Sequence, residues 1–136
     1  MSSTWTDPKT GLMWARISIG QRWESGEAVG DAQYMNWDDA NDAVRHYRLA
    51  GFEDWRLPNI EELESIALKD QAGTSAPQGV LLFPMVSDDW WLTYWSASPN
   101  GYCLGYGAMD VYCFGIGNTL EGRRDAAHFV RAVRNT

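Results

Sequence analysis

Apolar side chains recur at helical spacing through the middle of the chain. Trp37, Ala40, Val44 and Tyr47 form one stripe, the signature of a helix with one buried face. Asn36 ahead of them, with Asp38 and Asp39 in the first turn, caps a helix predicted over 37–50. His46 falls off the stripe and is expected in solvent. Gly51 stands where this helix needs a left-handed terminator. Pro58 pushes Leu57 extended. Asn59, with Glu62 three residues on, is a capping box that opens a second helix over 60–69. Ile60, Leu63, Ile66 and Ala67 then face inward, and Glu61, Glu62 and Glu64 make a solvated face. Trp55 lies between the helices, too large to leave in water, and is expected pinned under both. Arg56 beside it reads as a structural arginine bonding carbonyls or carboxylates.

Elsewhere the pattern is shorter in range. Asp7-Pro8-Lys9-Thr10-Gly11 is turn chemistry, and Leu12-Met13-Trp14-Ala15 reads as a short strand. Residues 17–35, with glycines at 20, 26 and 30, read as loop, with Trp23 and Tyr34 folding back as anchors. Residues 70–89 form a long excursion in which Val80-Leu81-Leu82-Phe83-Pro84 docks on the core. From Trp91 onward the pattern turns to strands, over 92–96, 102–106, 108–114 and 128–134. Helices early and strands late predict an α+β fold with an antiparallel sheet.

At 136 residues the chain fits a single domain, 1–136. Eight Trp and 45% apolar content exclude disorder. The formal charge of −7 argues against a nucleic-acid partner. Residues 1–89 carry 15 acidic and 7 basic side chains, whereas residues 90–136 carry 3 and 4. The final third is thus nearly uncharged, an odd composition for surface. No apolar run approaches the roughly 20 residues of a membrane span, and no stretch reads as a signal peptide. Membrane insertion is therefore not expected, and a cytoplasmic or virion-associated location is.

Candidate chemistry concentrates in residues 100–122. At strand period two, Tyr102, Leu104, Tyr106, Ala108, Asp110 and Tyr112 share one face, and Cys103, Gly105, Gly107, Met109, Val111 and Cys113 the other. The second set is small and soft, suited to packing on helices. The first is then an outward row of amphipathic side chains resembling a paratope, since Tyr offers contact area at low entropic cost. In the plainer alternative the tyrosines cover a second layer of core. Ile116 and Asn118 follow in a glycine-punctuated loop. Arg123 and Arg124 read either as solubilising charge or as contacts to an anionic partner such as a sulfated glycan. Catalysis has little support: Ser96, His128 and an Asp could be assembled by chance. Cys103, Cys113 and the two histidines lack zinc-like spacing. No metal or cofactor is expected. The expected ligand contacts are Tyr102, Leu104, Tyr106, Asp110, Tyr112, Ile116 and Asn118, and the partner is a protein or glycan.

Five ordered blocks carry a family resemblance: Thr6-Asp7-Pro8-Lys9-Thr10-Gly11-Leu12-Met13-Trp14, Trp37-Asp38-Asp39-Ala40, Asp54-Trp55-Arg56-Leu57-Pro58 with Glu61-Glu62-Leu63, Tyr94-Trp95-Ser96-Ala97-Ser98, and Val130-Arg131-Ala132-Val133-Arg134. Together they resemble the Lcl C-terminal domain family. The resemblance implies a C-type-lectin-like, formylglycine-generating-enzyme-like fold. In it two helices flank a small twisted antiparallel sheet with long loops, and the chain ends meet. Tyr94-Trp95-Ser96, a following segment rich in Tyr, Cys, Gly, Asp and Asn, and the ending Phe129-Val130-Arg131-Ala132-Val133-Arg134 also resemble the variable proteins of diversity-generating retroelements. That likeness implies a non-enzymatic binding domain whose residues 100–122 are diversified. Two other readings stand beside it: an oligomeric adhesion module for sulfated glycans, and an enzyme related to formylglycine generation using Cys103 or Cys113. The Glu-Pro-Asn and Trp-Asn-Asp motifs of calcium-dependent lectins are absent from the sequence.

Overall fold

The computed structural model describes residues 3–69, 75–77, 93–99, 109–113 and 118–136. Strand β1 (Thr4–Thr6) lies antiparallel to β2 (Met13–Ala15), and β10 (Val133–Arg134) pairs with the other edge of β2. Trp14 is thereby opposite both Trp5 and Val133, so the two ends of the chain meet on one strand.

Residues 17–35, expected as loop, contain a hairpin of β3 (Arg22–Glu24) and β4 (Glu27–Val29). Its turn residues Ser25 and Gly26 have φ of 53° and 79°, the two left-handed positions of a type I′ connection whose twist matches the strands. Three-residue strands are too short to display alternation, which is why the sequence reads as loop there.

Helix α1 (Trp37–Arg45) begins as expected: the Asn36 side chain accepts the Asp39 amide at 2.9 Å. Its last residue is Arg45, five residues before the predicted end, and His46 is the C-cap. Gly51 is left-handed (φ 84°) for a different reason. With Ala50 (φ 55°) it turns the chain between Leu49 and Phe52, which exchange backbone bonds of 3.0 and 3.4 Å. The His46 side chain is in solvent.

Helix α2 (Ile60–Ser65) has the complete capping box, with Glu62 N–H donating to Asn59 Oδ1 and Asn59 N–H to Glu62 Oε1, both at 2.8 Å. It too is shorter than predicted. The last turn tightens at Ile66, whose N–H bonds the Leu63 carbonyl at 3.3 Å. Residues 67–69, expected as helix, form strand β5 (Ala67–Lys69) against β6 (Ser75–Pro77). Among the described residues no helix is long and apolar enough to cross a membrane.

The centre is an antiparallel sheet of β7 (Thr93–Pro99), β8 (Met109–Cys113) and β9 (Asn118–Gly122), in that order. Tyr94 pairs with Tyr112 and Trp95 with Val111. Because neighbours along a strand point to opposite faces, these two rows enter different clusters. Tyr94 and Tyr112 pack with Trp14, Leu63, Ile66, Phe129 and Val133. Trp95, Val111 and Met109 pack with Ala40, Val44, Trp55, Leu57, Val130 and Ala132. β8 is therefore covered on both faces. Trp55 belongs with α1 and the sheet, in edge contact with Tyr47 at 6.0 Å, and not with the α2 side chains Leu63 and Ile66. Its expected position under both helices is corrected accordingly.

Gly122 makes this packing possible. A Cβ there would stand 2.6 Å from Val111 Cγ1 and 2.7 Å from Trp95 Cζ3. The absence of a side chain lets β9 lie flush against the indole.

Candidate functional site

The end of the sheet where β7 gives way to residues 100–108 is the place where the expected contact segment begins. β7 is irregular between Trp95 and Pro99, and pairing resumes only at Pro99 opposite Met109. Within that bulge the Ser96 hydroxyl donates to the Asp110 carbonyl at 2.7 Å and accepts the Ser98 amide at 3.0 Å. The Ser98 hydroxyl in turn accepts the Ile60 amide at 3.0 Å, and Ala97 N–H donates to the Pro58 carbonyl at 2.8 Å. Ser98 thus satisfies one of the free amides at the start of α2. The strand end is stitched to the helix start, and the two points from which residues 100–108 depart are fixed. Bulges commonly redirect a strand beside a binding site. The sequence does carry a signal for this one in the small residues Ser96-Ala97-Ser98 ahead of Pro99.

Two of the seven expected contact residues have a described environment. Tyr112 does not face outward. It is 2% exposed, in the core beside Trp14 and Tyr94, so its expected contact role is corrected: a ring there meets core, not ligand. The period-two alternation itself holds at 109–112, but both faces of β8 are covered, and alternation alone cannot separate an outward row from a second core layer. Asp110 is half-buried. Asn118 opens β9 with its backbone opposite Cys113. Tyr102, Leu104, Tyr106 and Ile116 lie outside the described residues, as do Cys103 and the expected strand over 102–106. Residues 100–108 join β7 to β8, while 114–117 join β8 to β9. In an antiparallel sheet these connections leave opposite ends of β8.

A buried polar group lies behind the sheet. Arg131, 2% exposed, donates to the Ala15 carbonyl and to Ser18 Oγ, each at 3.0 Å. Ser18 Oγ and the Tyr94 hydroxyl are 2.6 Å apart. Burial pulls the Arg131 guanidinium below its ordinary value, against the opposing influence of the Tyr94 and Tyr47 rings. Burial also pushes the Tyr47 phenol up to about 12. The sequence signal for such an arginine is its place inside the apolar run Val130-Arg131-Ala132-Val133.

The expected corner arginine is structural. Arg56 forks onto the Glu62 carboxylate with two bonds of 2.8 Å and donates to Asn135 Oδ1 at 2.8 Å. Glu62, expected on a solvated face, is instead held in this fork. Arg134 likewise grips Asp54 at 2.6 and 3.1 Å and lies 3.8 Å from the Phe52 ring centre. Beside it opens a shallow cleft of about 490 Å³, lined by Arg48, Gly51, Phe52, Glu53, Asp54 and Arg134. None of the expected contact residues lines it. Arg124 pairs with Asp38 and lies over the Trp37 ring at 4.7 Å, while Arg123 pairs with Asp125 at 3.4 Å.

No curated protein matches the chain. The family comparison agrees with the five sequence blocks, and its match covers almost the whole chain: residues 3–134 fit the Lcl C-terminal domain, and the chain belongs to that family.

Proposed function

We propose that this domain is a non-enzymatic ligand-binding module of lectin-like architecture. α1 and α2 serve opposite faces of the β7-β8-β9 sheet, and residues 100–108 serve as the principal recognition segment. The observation that carries the reading is the stitched sheet end: the Pro99–Met109 pair and the Ser98–Ile60 bond anchor a nine-residue connection on a sheet buried on both faces. Binding residues are commonly carried by connections between elements of a rigid scaffold. Within that connection Tyr102, Leu104 and Tyr106 supply the contacts, with Asp110, Ile116 and Asn118 as further candidates. The segment's resemblance to the variable proteins of diversity-generating retroelements fits the same assignment, and the partner is a protein or glycan.

The test compares wild type with the Tyr102→Ala/Tyr106→Ala double variant on an immobilised glycan panel and a displayed peptide library. The expected result is selective wild-type binding that the double variant loses, with stability unchanged to within about 1 kcal/mol, as for exposed sites. Binding retained by the double variant overturns the assignment. Retention on heparin that salt and the Arg123→Ala/Arg124→Ala change both abolish would instead favour the sulfated-glycan reading.

A further inference from the structure

His128 occupies a seam where three stretches of backbone are sewn together. Its amide and carbonyl exchange bonds of 3.1 and 3.0 Å with Met35. The next residue, Phe129, donates to the Thr93 carbonyl and accepts the Trp95 amide, each at 3.0 Å. The Met35 carbonyl also accepts the Trp95 indole N–H at 2.7 Å. Into this seam the imidazole places Nδ1 2.7 Å from the Thr93 hydroxyl, with its ring edge-on to Trp95 at a centroid distance of 4.8 Å. The groups facing it from β7 are thus a hydroxyl and an indole, and Met35 contributes its two backbone bonds. Among the described residues closest in sequence to the seam, Arg123 pairs with Asp125 and Arg124 with Asp38.

We infer that His128 is an acid-sensitive latch: the neutral imidazole closes the seam between residue 35, β7 and Phe129, and protonation loosens it. A proton taken from solvent makes both ring nitrogens donors. The Thr93 hydroxyl must then accept, and a half-buried cation sits among neutral partners. Burial holds this imidazole below its ordinary value, which fixes the sign. The seam's contribution is complete above the unfolded value of about 6.5 and is lost as the pH falls through the lower folded value.

The test is amide hydrogen exchange and NMR of the full chain between pH 7.5 and 5. After correction for intrinsic rates, exchange at His128, Met35 and Phe129 should accelerate about tenfold or more on acidification. The Arg56 amide, bonded to the Val133 carbonyl away from the seam, should not change. His128→Gln should abolish the difference. Uniform acceleration, none, or the same acceleration in His128→Gln overturns the latch. If that variant does not fold, wild type alone decides. The His128 ring and the Trp95 indole resonance (assigned by its loss in Trp95→Phe) must titrate together below pH 6.5. An indole that stays still, or one that moves without the His128 ring, overturns the proposal.

Discussion

Arg56 and Glu62 meet through two parallel bonds of 2.8 Å, and the same carboxylate accepts the Asn59 amide that starts α2. One side chain therefore closes a helix cap and fastens the corner to the C-terminal strand, since Arg56 also exchanges backbone bonds with Val133 at 2.8 and 3.0 Å. Lysine cannot reproduce a planar fork. Arg56→Lys should cost about 1–2 kcal/mol in a urea titration, at the low end for a charge-assisted bond because the site is partly exposed.

The same carboxylate sets an acid limb. Burial pushes Glu62 up, but the Arg56 fork and the Asn59 amide outweigh it and hold the group below its ordinary value. Its contribution is present above the unfolded carboxylate value of about 4.3 and is lost as the pH falls through the folded one. Glu62→Gln should therefore be less stable than wild type at pH 7, with the gap closing below about pH 4. A gap that persists at pH 2 would show that the loss is steric.

Tyr112 and Trp55 test the two core clusters separately. Each is buried, one beside Trp14 and Leu63, the other beside Val44 and Trp95. Truncating either to Ala should cost about 3–5 kcal/mol by cavity formation, read as a lowered denaturation midpoint. A mild Tyr112→Ala variant would restore this ring to the recognition surface.

Gly122→Ala should be destabilising although it adds one carbon. The new methyl meets Val111 and Trp95 at less than 3 Å, and overpacking of this kind costs about 1–3 kcal/mol. Loss of the indole near-ultraviolet dichroism would accompany it.

Ala50→Asn should act in the opposite direction. Ala50 holds φ at 55° on the surface, ahead of Gly51, a conformation that costs an alanine about 1–2 kcal/mol. Asn-Gly is the favoured pair for this turn, so the variant should gain about 0.5–1 kcal/mol.

Local chemistry was legible in the sequence where one side chain decides one backbone outcome. The Asn36 cap and the Asn59–Glu62 box both follow from such rules. Gly51 shows their limit: its left-handed backbone was foreseen, but the turn that uses it was not, because a helix end and a two-residue hairpin turn make the same demand. Tyr112 shows a second limit. Whether a row of side chains meets solvent depends on α2 and the N-terminal strands packing over it, and periodicity within β8 holds no record of them. The β7 bulge, the His128 seam and buried Arg131 depend on partners 14 to 116 positions away, beyond the reach of any local pattern.

The double covering of β8 also restricts which positions of this domain tolerate substitution. A change at Met109 or Val111 must still fit one interior and a change at Tyr112 the other, so neither face of the strand is free to drift. Engineered libraries built on this scaffold should accordingly hold Met109, Val111 and Tyr112 constant, together with Trp95 and Gly122 against which Val111 packs.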